Sequence, residues 1–280
     1  MKVIKNIKEM RTFSDAVRKA GKSIVFAPTM GCLHRGHVSL LEKGRGLGDV
    51  LVLSIFVNPL QFGPKEDYAS YPGDFNADLT LAEANRADVV FRPDAEEMYP
   101  GGYETHVEVE RLSRHLCGLS RPGHFRGVAT VVAKLFNIIM PDTAVFGEKD
   151  FQQLMIIKRM AQDLNIGVNI VSVPIIREPD GLALSSRNKH LNREERKAAR
   201  CLYIAIKKGK DIFESGVKDV DIILKEVKRV VEAEPLAVID YVKVCDVDTL
   251  KDVDIVADKA LMAMAVRIGK TRLIDNCILG

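Results

Sequence analysis

The stretch Ser23-Ile24-Val25-Phe26-Ala27-Pro28-Thr29-Met30-Gly31-Cys32-Leu33-His34-Arg35-Gly36-His37 decides the fold of the first part of this 280-residue chain. Residues 23–27 are a short apolar run, which predicts a buried strand. Residues 28–37 contain Gly31 and Gly36 and predict a turn that opens a helix. Ligands of open α/β sheets bind beyond the carboxyl ends of the strands, where a helix start offers N–H groups and a positive dipole end. The stretch therefore predicts a strand, a turn and a helix that together bind phosphate.

The alternation of strand and helix continues along the first part of the chain. Further short apolar runs predict strands at residues 50–57, 88–91, 143–146 and 168–173. Helical periodicity is found at residues 38–43, 75–86, 128–139 and 152–164. This order predicts right-handed crossovers and an α/β fold with a Rossmann-like, doubly wound parallel sheet.

The pattern changes after Pro174. Residues 193–215 and 217–234 predict charged helices, the first capped by Asn192 with Glu194 and Glu195 in its first turn. Residues 237–244, 259–266 and 271–278 predict strands. We therefore predict two domains, residues 1–176 and a smaller C-terminal α+β domain of residues 177–280.

Composition excludes several classes of protein. The balance of 41 Lys and Arg against 38 Asp and Glu gives a net charge of +3, too small for a general nucleic-acid coat. The five cysteines are far apart with no Cys-x-x-Cys pair, which argues against a disulfide framework or a zinc cluster. The apolar runs fall short of the roughly 18 residues of a membrane helix, and the charged residues 1–10 do not form a signal peptide. We predict a soluble, cytoplasmic protein without nucleic-acid or membrane partners.

His34 and His37 are candidates for stabilising negative charge. They lie three residues apart, on one face of the first helical turn, and Gly36 between them lets a ligand approach the backbone. Two imidazoles there can stabilise the charge that builds on phosphate oxygens in a transition state. A capping role and a zinc site are the alternatives, although no third zinc ligand is evident nearby.

A second candidate segment is Gly181-Leu182-Ala183-Leu184-Ser185-Ser186-Arg187-Asn188. Two hydroxyls and a guanidinium in such a loop can wrap a triphosphate, and a polar interdomain loop is the alternative. The His-x-Gly-His pattern, followed by a hydroxyl-rich basic loop after the last parallel strand, resembles the nucleotidylyltransferase superfamily, which includes the class I aminoacyl-tRNA synthetases.

Three further motifs make the resemblance specific. Residues 54–62 read SIFVNPLQF, residues 121–128 read RPGHFRGV and residues 146–154 read FGEKDFQQL. Together with the first two motifs, and in the same order along the chain, they resemble the pantoate–β-alanine ligase family. The resemblance implies an ATP-dependent condensation of pantoate with β-alanine through a pantoyl adenylate, with Mg²⁺ accompanying ATP. It also implies a homodimer. We expect the C-terminal domain to act as a lid, because closure excludes water from a reactive acyl adenylate.

The resemblance also implies roles for individual residues. His37, His34 and Lys149 are the implied catalytic residues. The implied ATP site consists of Met30, Gly31, Cys32, Leu33, His34, Arg35, Gly36, His37, Gly147, Glu148, Lys149, Asp150, Ile176, Leu184, Ser185, Ser186 and Arg187. The implied pocket for pantoate and β-alanine contains Gln61, Gln153 and Asn58. Asp78 is the candidate protein contact of Mg²⁺, which binds mostly to phosphate oxygens and waters.

Other readings stay open at this point. A nucleotidyltransferase acting on a phosphorylated acceptor would use the same His and Ser motifs, and a non-enzymatic nucleotide sensor is a third candidate. Three roles are open for Asp150: a contact with the ribose, the ordering of Lys149, or a helix cap. Arg121, His124 and Arg126 steer anions or form loop salt bridges. Gly44, Gly46 and Gly48 depart from the family's helix formers and predict a flexible helix end rather than a dinucleotide loop.

Overall fold

The computed structural model describes residues 1–64, 66 and 68–280. Within these residues the strands are β1 (Lys2–Ile4), β2 (Ile24–Thr29), β3 (Val50–Ile55), β4 (Val89–Phe91), β5 (Thr143–Gly147), β6 (Asn169–Val173), β7 (Ala237–Cys245), β8 (Ala260–Ile268) and β9 (Thr271–Leu279). The helices are α1 (Ile7–Lys19), α2 (Arg35–Arg45), α3 (Phe75–Ala84), α4 (Ala95–Met98), α5 (Cys117–Ser120), α6 (His124–Ile139), α7 (Phe151–Asp163), α8 (Arg193–Ala198), α9 (Cys201–Glu214) and α10 (Val220–Glu232). Short 3-10 turns lie at Pro59–Gln61, Leu112–Arg114, Glu148–Asp150 and Ser186–His190.

The chain divides into two compact units. Unit 1 contains Met1–Ser113, Arg121–Glu148 and Gln153–Pro174. Unit 2 contains Arg114–Ser120, Lys149–Gln152 and Ile175–Gly280. The main division thus falls close to residue 176, and two short segments of the N-terminal part of the chain join the C-terminal unit.

Unit 1 is built on a six-stranded parallel sheet with the order β1-β4-β3-β2-β5-β6. The central strands β2 and β3 pair in register from Ile24 with Val50 to Thr29 with Ile55. Because β3 lies on one side of β2 and β5 on the other, the strand order reverses direction at β2. That reversal is the position at which ligands bind in open α/β sheets.

Helices cover both faces of this sheet, so the predicted fold class is confirmed. Leu40 and Leu41 of α2 and Ala82 of α3 pack with alternate residues of β2 and β3 in one apolar core. On the other face, the Phe26 ring of β2 meets the Phe136 ring of α6 edge to face at 6.4 Å between centroids. The burial of both faces explains why these strands are almost continuously apolar.

The first strand and helix were not predicted from the sequence. β1 is three residues long, lies at the sheet edge and buries only Ile4, so it leaves no periodic pattern to read. The α1 helix begins after Asn6, whose side chain accepts a hydrogen bond from the Glu9 N–H.

Unit 2 is a smaller α+β structure, as predicted. Its sheet is antiparallel with the order β7-β8-β9, and α9 and α10 share its apolar core. Asn192 and Glu195 form a capping box at the start of α8, which confirms Asn192 as a cap. The predicted single helix 193–215 is split into α8 and α9. Short-range hydrogen bonds from the N–H groups of Arg200 and Leu202 tighten the chain there.

The glycines at the end of α2 are packed, which corrects the prediction of a merely flexible helix end. Gly46 does end the helix. Gly44 is buried, and a Cβ there would lie 3.0 Å from Leu51 Cδ1. At Gly48 a Cβ would lie 2.7 Å from Val25 Cγ2. Two of the three glycines therefore let the end of α2 approach the sheet closely.

Candidate active site

The loop between β2 and α2 and the first turn of α2, residues 30–37, form what we call the histidine turn. Its backbone is left-handed at Gly31, with φ of 87°, and at Cys32, with φ of 52°. A non-glycine residue adopts such a φ only where its surroundings hold it. The restraint comes from a side chain of α3.

Asp78 anchors the histidine turn. Its carboxylate is only 3% exposed and accepts hydrogen bonds from the backbone N–H of Cys32 at 2.9 Å and of Leu33 at 2.6 Å. Hydrogen bonds to a buried carboxylate are among the strong ones. While Asp78 holds these two N–H groups, they do not donate to a ligand. The assignment of Cys32 and Leu33 to the ATP site stays a prediction.

His34 and His37 cap the helix that they begin. His34 Nδ1 accepts from the Gly36 N–H at 3.1 Å, and His37 Nδ1 accepts from the His34 N–H at 3.3 Å. The capping alternative is therefore correct for both side chains, and the N–H groups of Gly36 and His34 are used within the protein.

This capping also fixes the proton position on both rings. A backbone N–H can only donate, so each Nδ1 must be an unprotonated acceptor, and in the neutral ring the proton is on Nε2. The two rings are tilted by 32° to each other, with centroids 4.1 Å apart. The histidine turn therefore carries two Nε2–H donors, suited to phosphate oxygens.

Residues 56–62, which follow β3, form what we call the glutamine turn. Asn58 is 1% exposed and donates from Nδ2 to the Gly127 carbonyl oxygen and to Gln61 Oε1, both at 3.1 Å. Gln61 Nε2 lies 3.1 Å from Met30 Sδ. The structure thus brings both predicted pantoate contacts of this segment together and links them to the histidine turn.

The α6 helix packs directly against the glutamine turn at Gly127. A Cβ at this position would collide with the carbonyl group of Leu60, so only glycine fits here. The close approach brings the Gly127 carbonyl within reach of Asn58.

Arg121 and His124 form the edge of the glutamine turn. Arg121 makes a bidentate ion pair with Glu66, at 2.6 and 2.7 Å, and its Nη1 lies 2.9 Å from His124 Nε2. His124 Nδ1 lies 2.8 Å from the Gln61 carbonyl oxygen. Burial opposes the charge of Glu66, but the hydrogen bonds and charge of Arg121 outweigh it and lower the pKa of that carboxyl. Arg121 therefore forms a loop salt bridge, one of the two roles that the sequence left open for it.

At the end of β5 the predicted residues lie in two environments. In unit 1, Glu148 accepts a hydrogen bond from Ser172 Oγ at 2.7 Å, Gly147 has open space around its Cα, and Gln153 is half-buried on α7. In unit 2, the Lys149 carbonyl oxygen accepts from Asn276 Nδ2 at 2.9 Å, and Asp150 is exposed just before α7 begins.

Arg35 of the histidine turn is paired with Glu42.

Unit 2 brings together the remaining residues predicted to bind ATP. The Leu184 N–H donates to the Ile176 carbonyl oxygen at 3.0 Å and closes a hairpin. This hairpin is held by a bidentate ion pair of Arg177 with the buried Asp275, at 2.6 and 2.8 Å. Burial disfavours the charged Arg177, but Asp275 more than compensates and raises the pKa of the guanidinium.

A second ion pair holds the turn of this hairpin. Asp180 accepts from both terminal nitrogens of Arg196, at 2.6 and 3.0 Å, and these hydrogen bonds lower the pKa of its carboxyl. Just beyond the hairpin, Ser185 Oγ accepts from the Arg187 N–H at 3.3 Å and Ser186 is buried. The convergence of this loop with the histidine turn remains a prediction.

The described part of the chain has no group of three His, Cys, Asp or Glu side chains that could hold a metal ion. The metal contact of Asp78 also stays a prediction, to which its two backbone hydrogen bonds lend no support. No helix among the described residues is long and apolar enough to cross a bilayer.

Sequence reasoning missed the anchoring role of Asp78 and the contact of Tyr99 with Asn58, because in each case the two partners are far apart in the sequence.

Comparisons with known proteins identify the family of the chain. A sequence model of the family described as pantoate-beta-alanine ligase matches residues 2–278. Pantothenate synthetase of Geotalea uraniireducens is 54% identical over 280 residues, covering 100% of this chain and 99% of that protein. The corresponding protein of Geobacter sulfurreducens is 53% identical with the same coverage.

Solved structures agree as well. The crystal structure of pantothenate synthetase from Thermus thermophilus superposes with a TM-score of 0.94 at 42% identity, covering 99% of both chains. The ligase from Francisella tularensis, solved with beta-gamma ATP and beta-alanine, gives 0.82 at 34% identity, covering 99% of this chain and 97% of that one. These matches along nearly its whole length show that the chain belongs to the pantoate–β-alanine ligase family.

Proposed function

We propose that in this chain the histidine turn binds the phosphates of ATP and the glutamine turn binds pantoate during the family reaction. The chain is a ligase that condenses pantoate with β-alanine at the expense of ATP, through a pantoyl adenylate. The family match favours this reaction over the two alternative interpretations, another nucleotidyltransferase and a nucleotide sensor. A carboxylate oxygen of pantoate attacks the α-phosphorus of ATP and pyrophosphate leaves. The amine of β-alanine then attacks the acyl carbon, an amide bond forms and AMP leaves.

The observation that carries the proposal is that the histidine turn, with its two Nε2–H donors, contacts the Gln61 amide through Met30. In-line displacement at phosphorus needs the reactants positioned and the growing negative charge stabilised. His34 and His37 donate to phosphate oxygens, because their Nδ1 atoms are already occupied as acceptors. His37 is the hydrogen-bond donor to the phosphate oxygens as the charge develops, and Gln61 holds pantoate.

The remaining predicted residues act on the nucleotide and on pantoate. Lys149 neutralises the α-phosphate, and Ser185, Ser186 and Arg187 bind the β- and γ-phosphates. Gln153 binds pantoate together with Gln61. The relative from Francisella tularensis, whose structure is described with beta-gamma ATP and beta-alanine as its ligands, supports the nucleotide and the amine as substrates.

Mg²⁺ is proposed to arrive with ATP. Asp78 fits poorly as its ligand, because both carboxylate oxygens already accept hydrogen bonds from the histidine turn. The described residues offer no other cluster for the ion, so phosphate oxygens and waters would hold it.

We propose a homodimer from family resemblance and a cytoplasmic location from composition. We also propose that the C-terminal domain acts as a lid, because closure excludes water from the adenylate. Light scattering of the purified protein tests the first of these. A mass of twice 31.1 kDa is expected, and a mass of 31.1 kDa would contradict it.

The experiment that tests the reaction follows pyrophosphate release from ATP with and without pantoate. We expect release only when pantoate is present, and AMP and amide formation once β-alanine is added. Release that requires a phosphorylated acceptor instead would contradict the proposal.

A further inference from the structure

We propose that Tyr99 is a positioning residue that holds Asn58 and, through it, the orientation of the Gln61 amide group. In the resulting orientation Gln61 offers N–H donors, not its carbonyl oxygen, to an oxygen atom of pantoate. The inference rests on the proposed function of the glutamine turn and adds both a residue and the polarity of the contact.

The orientation of Asn58 follows from two backbone groups. The Gly127 carbonyl oxygen can only accept and lies 3.1 Å from the side-chain nitrogen. The Leu60 N–H can only donate and lies 3.3 Å from the side-chain oxygen. A flipped Asn58 amide would place oxygen against oxygen at one end and N–H against N–H at the other, so Nδ2 and Oδ1 are determined.

Tyr99 completes the set of partners of Asn58. Its hydroxyl lies 2.7 Å from Asn58 Oδ1, which makes the hydroxyl the donor. Burial is the main cause that raises the pKa of Tyr99 well above its ordinary value, so the proton needed for donation is retained. Asn58 thereby accepts two hydrogen bonds, from Tyr99 and Leu60, which is the capacity of its oxygen.

The second N–H of Asn58 then fixes Gln61. It points to Gln61 Oε1 at 3.1 Å, so the oxygen of Gln61 faces Asn58 and its NH₂ group faces Met30. The reverse orientation would place two NH₂ groups against each other. A thioether sulfur is a weak acceptor, so a substrate oxygen displaces it readily from the Gln61 donor.

Tyr103 offers a matched control for Tyr99. The two rings meet edge to face at 5.0 Å between centroids, and Lys134 Nζ lies 5.6 Å from the Tyr99 ring and 4.7 Å from the Tyr103 ring. Both tyrosines thus belong to one aromatic cluster, but it is the Tyr99 hydroxyl that bonds to Asn58.

The first test compares Tyr99→Phe with Tyr103→Phe in the pyrophosphate-release assay. We expect Tyr99→Phe to raise the KM for pantoate roughly tenfold, the loss of one buried hydrogen bond, and to leave the KM for ATP within about twofold. Tyr103→Phe is expected to leave both constants unchanged. An equal change in the two KM values, or no change for Tyr99→Phe, would overturn the proposal.

The second test addresses the polarity of Gln61 and does not depend on Tyr99→Phe folding. Gln61→Glu keeps an acceptor for Asn58 but turns a second acceptor oxygen toward the substrate, whereas Gln61→Met removes the donor without adding charge. We expect the KM for pantoate to rise more for Gln61→Glu than for Gln61→Met. The opposite order would show that Gln61 acts as an acceptor and would overturn the inference.

The proposed function and the positioning role fail in different ways. If the unaltered protein releases no pyrophosphate with pantoate, the proposed function is wrong. If it does so and the variants behave against expectation, only the positioning role of Tyr99 and the polarity of Gln61 are wrong.

Discussion

The histidine turn and the glutamine turn follow neighbouring parallel strands, yet they are held by opposite kinds of chemistry. The histidine turn is anchored by the carboxylate of Asp78, whose oxygens accept two backbone hydrogen bonds. The glutamine turn is anchored by the neutral amide of Asn58, which accepts two and donates two.

The difference shows what each turn has to fix. A carboxylate gathers backbone N–H groups and sets the path of the chain, here the left-handed Gly31 and Cys32. An amide whose hydrogen-bond partners are all present has one favoured orientation. The Asn58 NH₂ group then determines which way the Gln61 amide faces. One anchor fixes the shape of the backbone and the other fixes hydrogen-bond polarity.

The largest effect is expected at the histidine turn. His37→Ala removes an Nε2–H donor to the phosphates and should lower the adenylation rate roughly 10²-fold or more, by analogy with the loss of one charge-stabilising donor. Pyrophosphate release measures this rate, with pantoate and ATP saturating. A near-normal rate would show that His37 does not stabilise the developing charge.

Asp78→Asn tests whether charge is required for the anchor. An amide retains one acceptor but turns its NH₂ group toward a backbone N–H, so we expect the free energy of unfolding to fall by about 2 kcal/mol. Urea denaturation measures the change. A loss well below about 1 kcal/mol would mean that the carboxylate is not what holds Gly31 and Cys32.

Gly127→Ala tests the contact of α6 with the glutamine turn. The added Cβ would collide with Leu60, so we expect a loss of about 1 to 2 kcal/mol in unfolding free energy and a weaker binding of pantoate. Gly167→Ala is the matched control, because a Cβ there meets open space. Equal stability of the two variants would show that the close approach is unimportant.

The smallest effect is expected for Gln153→Ala. We expect pantoate binding to weaken roughly tenfold, the value of one or two hydrogen bonds, with ATP binding nearly unchanged. Calorimetric titration with each ligand measures both. If the two ligands lose the same affinity, Gln153 does not belong to the pantoate pocket.

The sequence alone predicted the parallel sheet because its central strands are apolar throughout and the glycines mark its turns. It predicted the residues of both turns because short motifs carry them. It could not predict their anchors, since Asp78 lies 45 and 46 residues beyond the N–H groups that it accepts, and Gly127 lies 69 residues beyond Asn58.

One physical expectation was wrong in detail. The free N–H groups expected at the start of α2 are in part used up, because His34 and His37 cap the helix themselves. In the proposed function, the hydrogen-bond donors to phosphate therefore come from the imidazole rings rather than from those backbone positions. Such a swap depends on side-chain geometry that spacing does not encode.

The sulfur of Met30 has a consequence for ligand chemistry. It gives the Gln61 NH₂ group a soft partner before substrate arrives, so binding does not require the removal of a tightly held water from that nitrogen. An inhibitor designed for this pocket should carry an ether, carbonyl or carboxylate oxygen at that point. A compound with an amine there would leave two donors facing each other and would bind weakly.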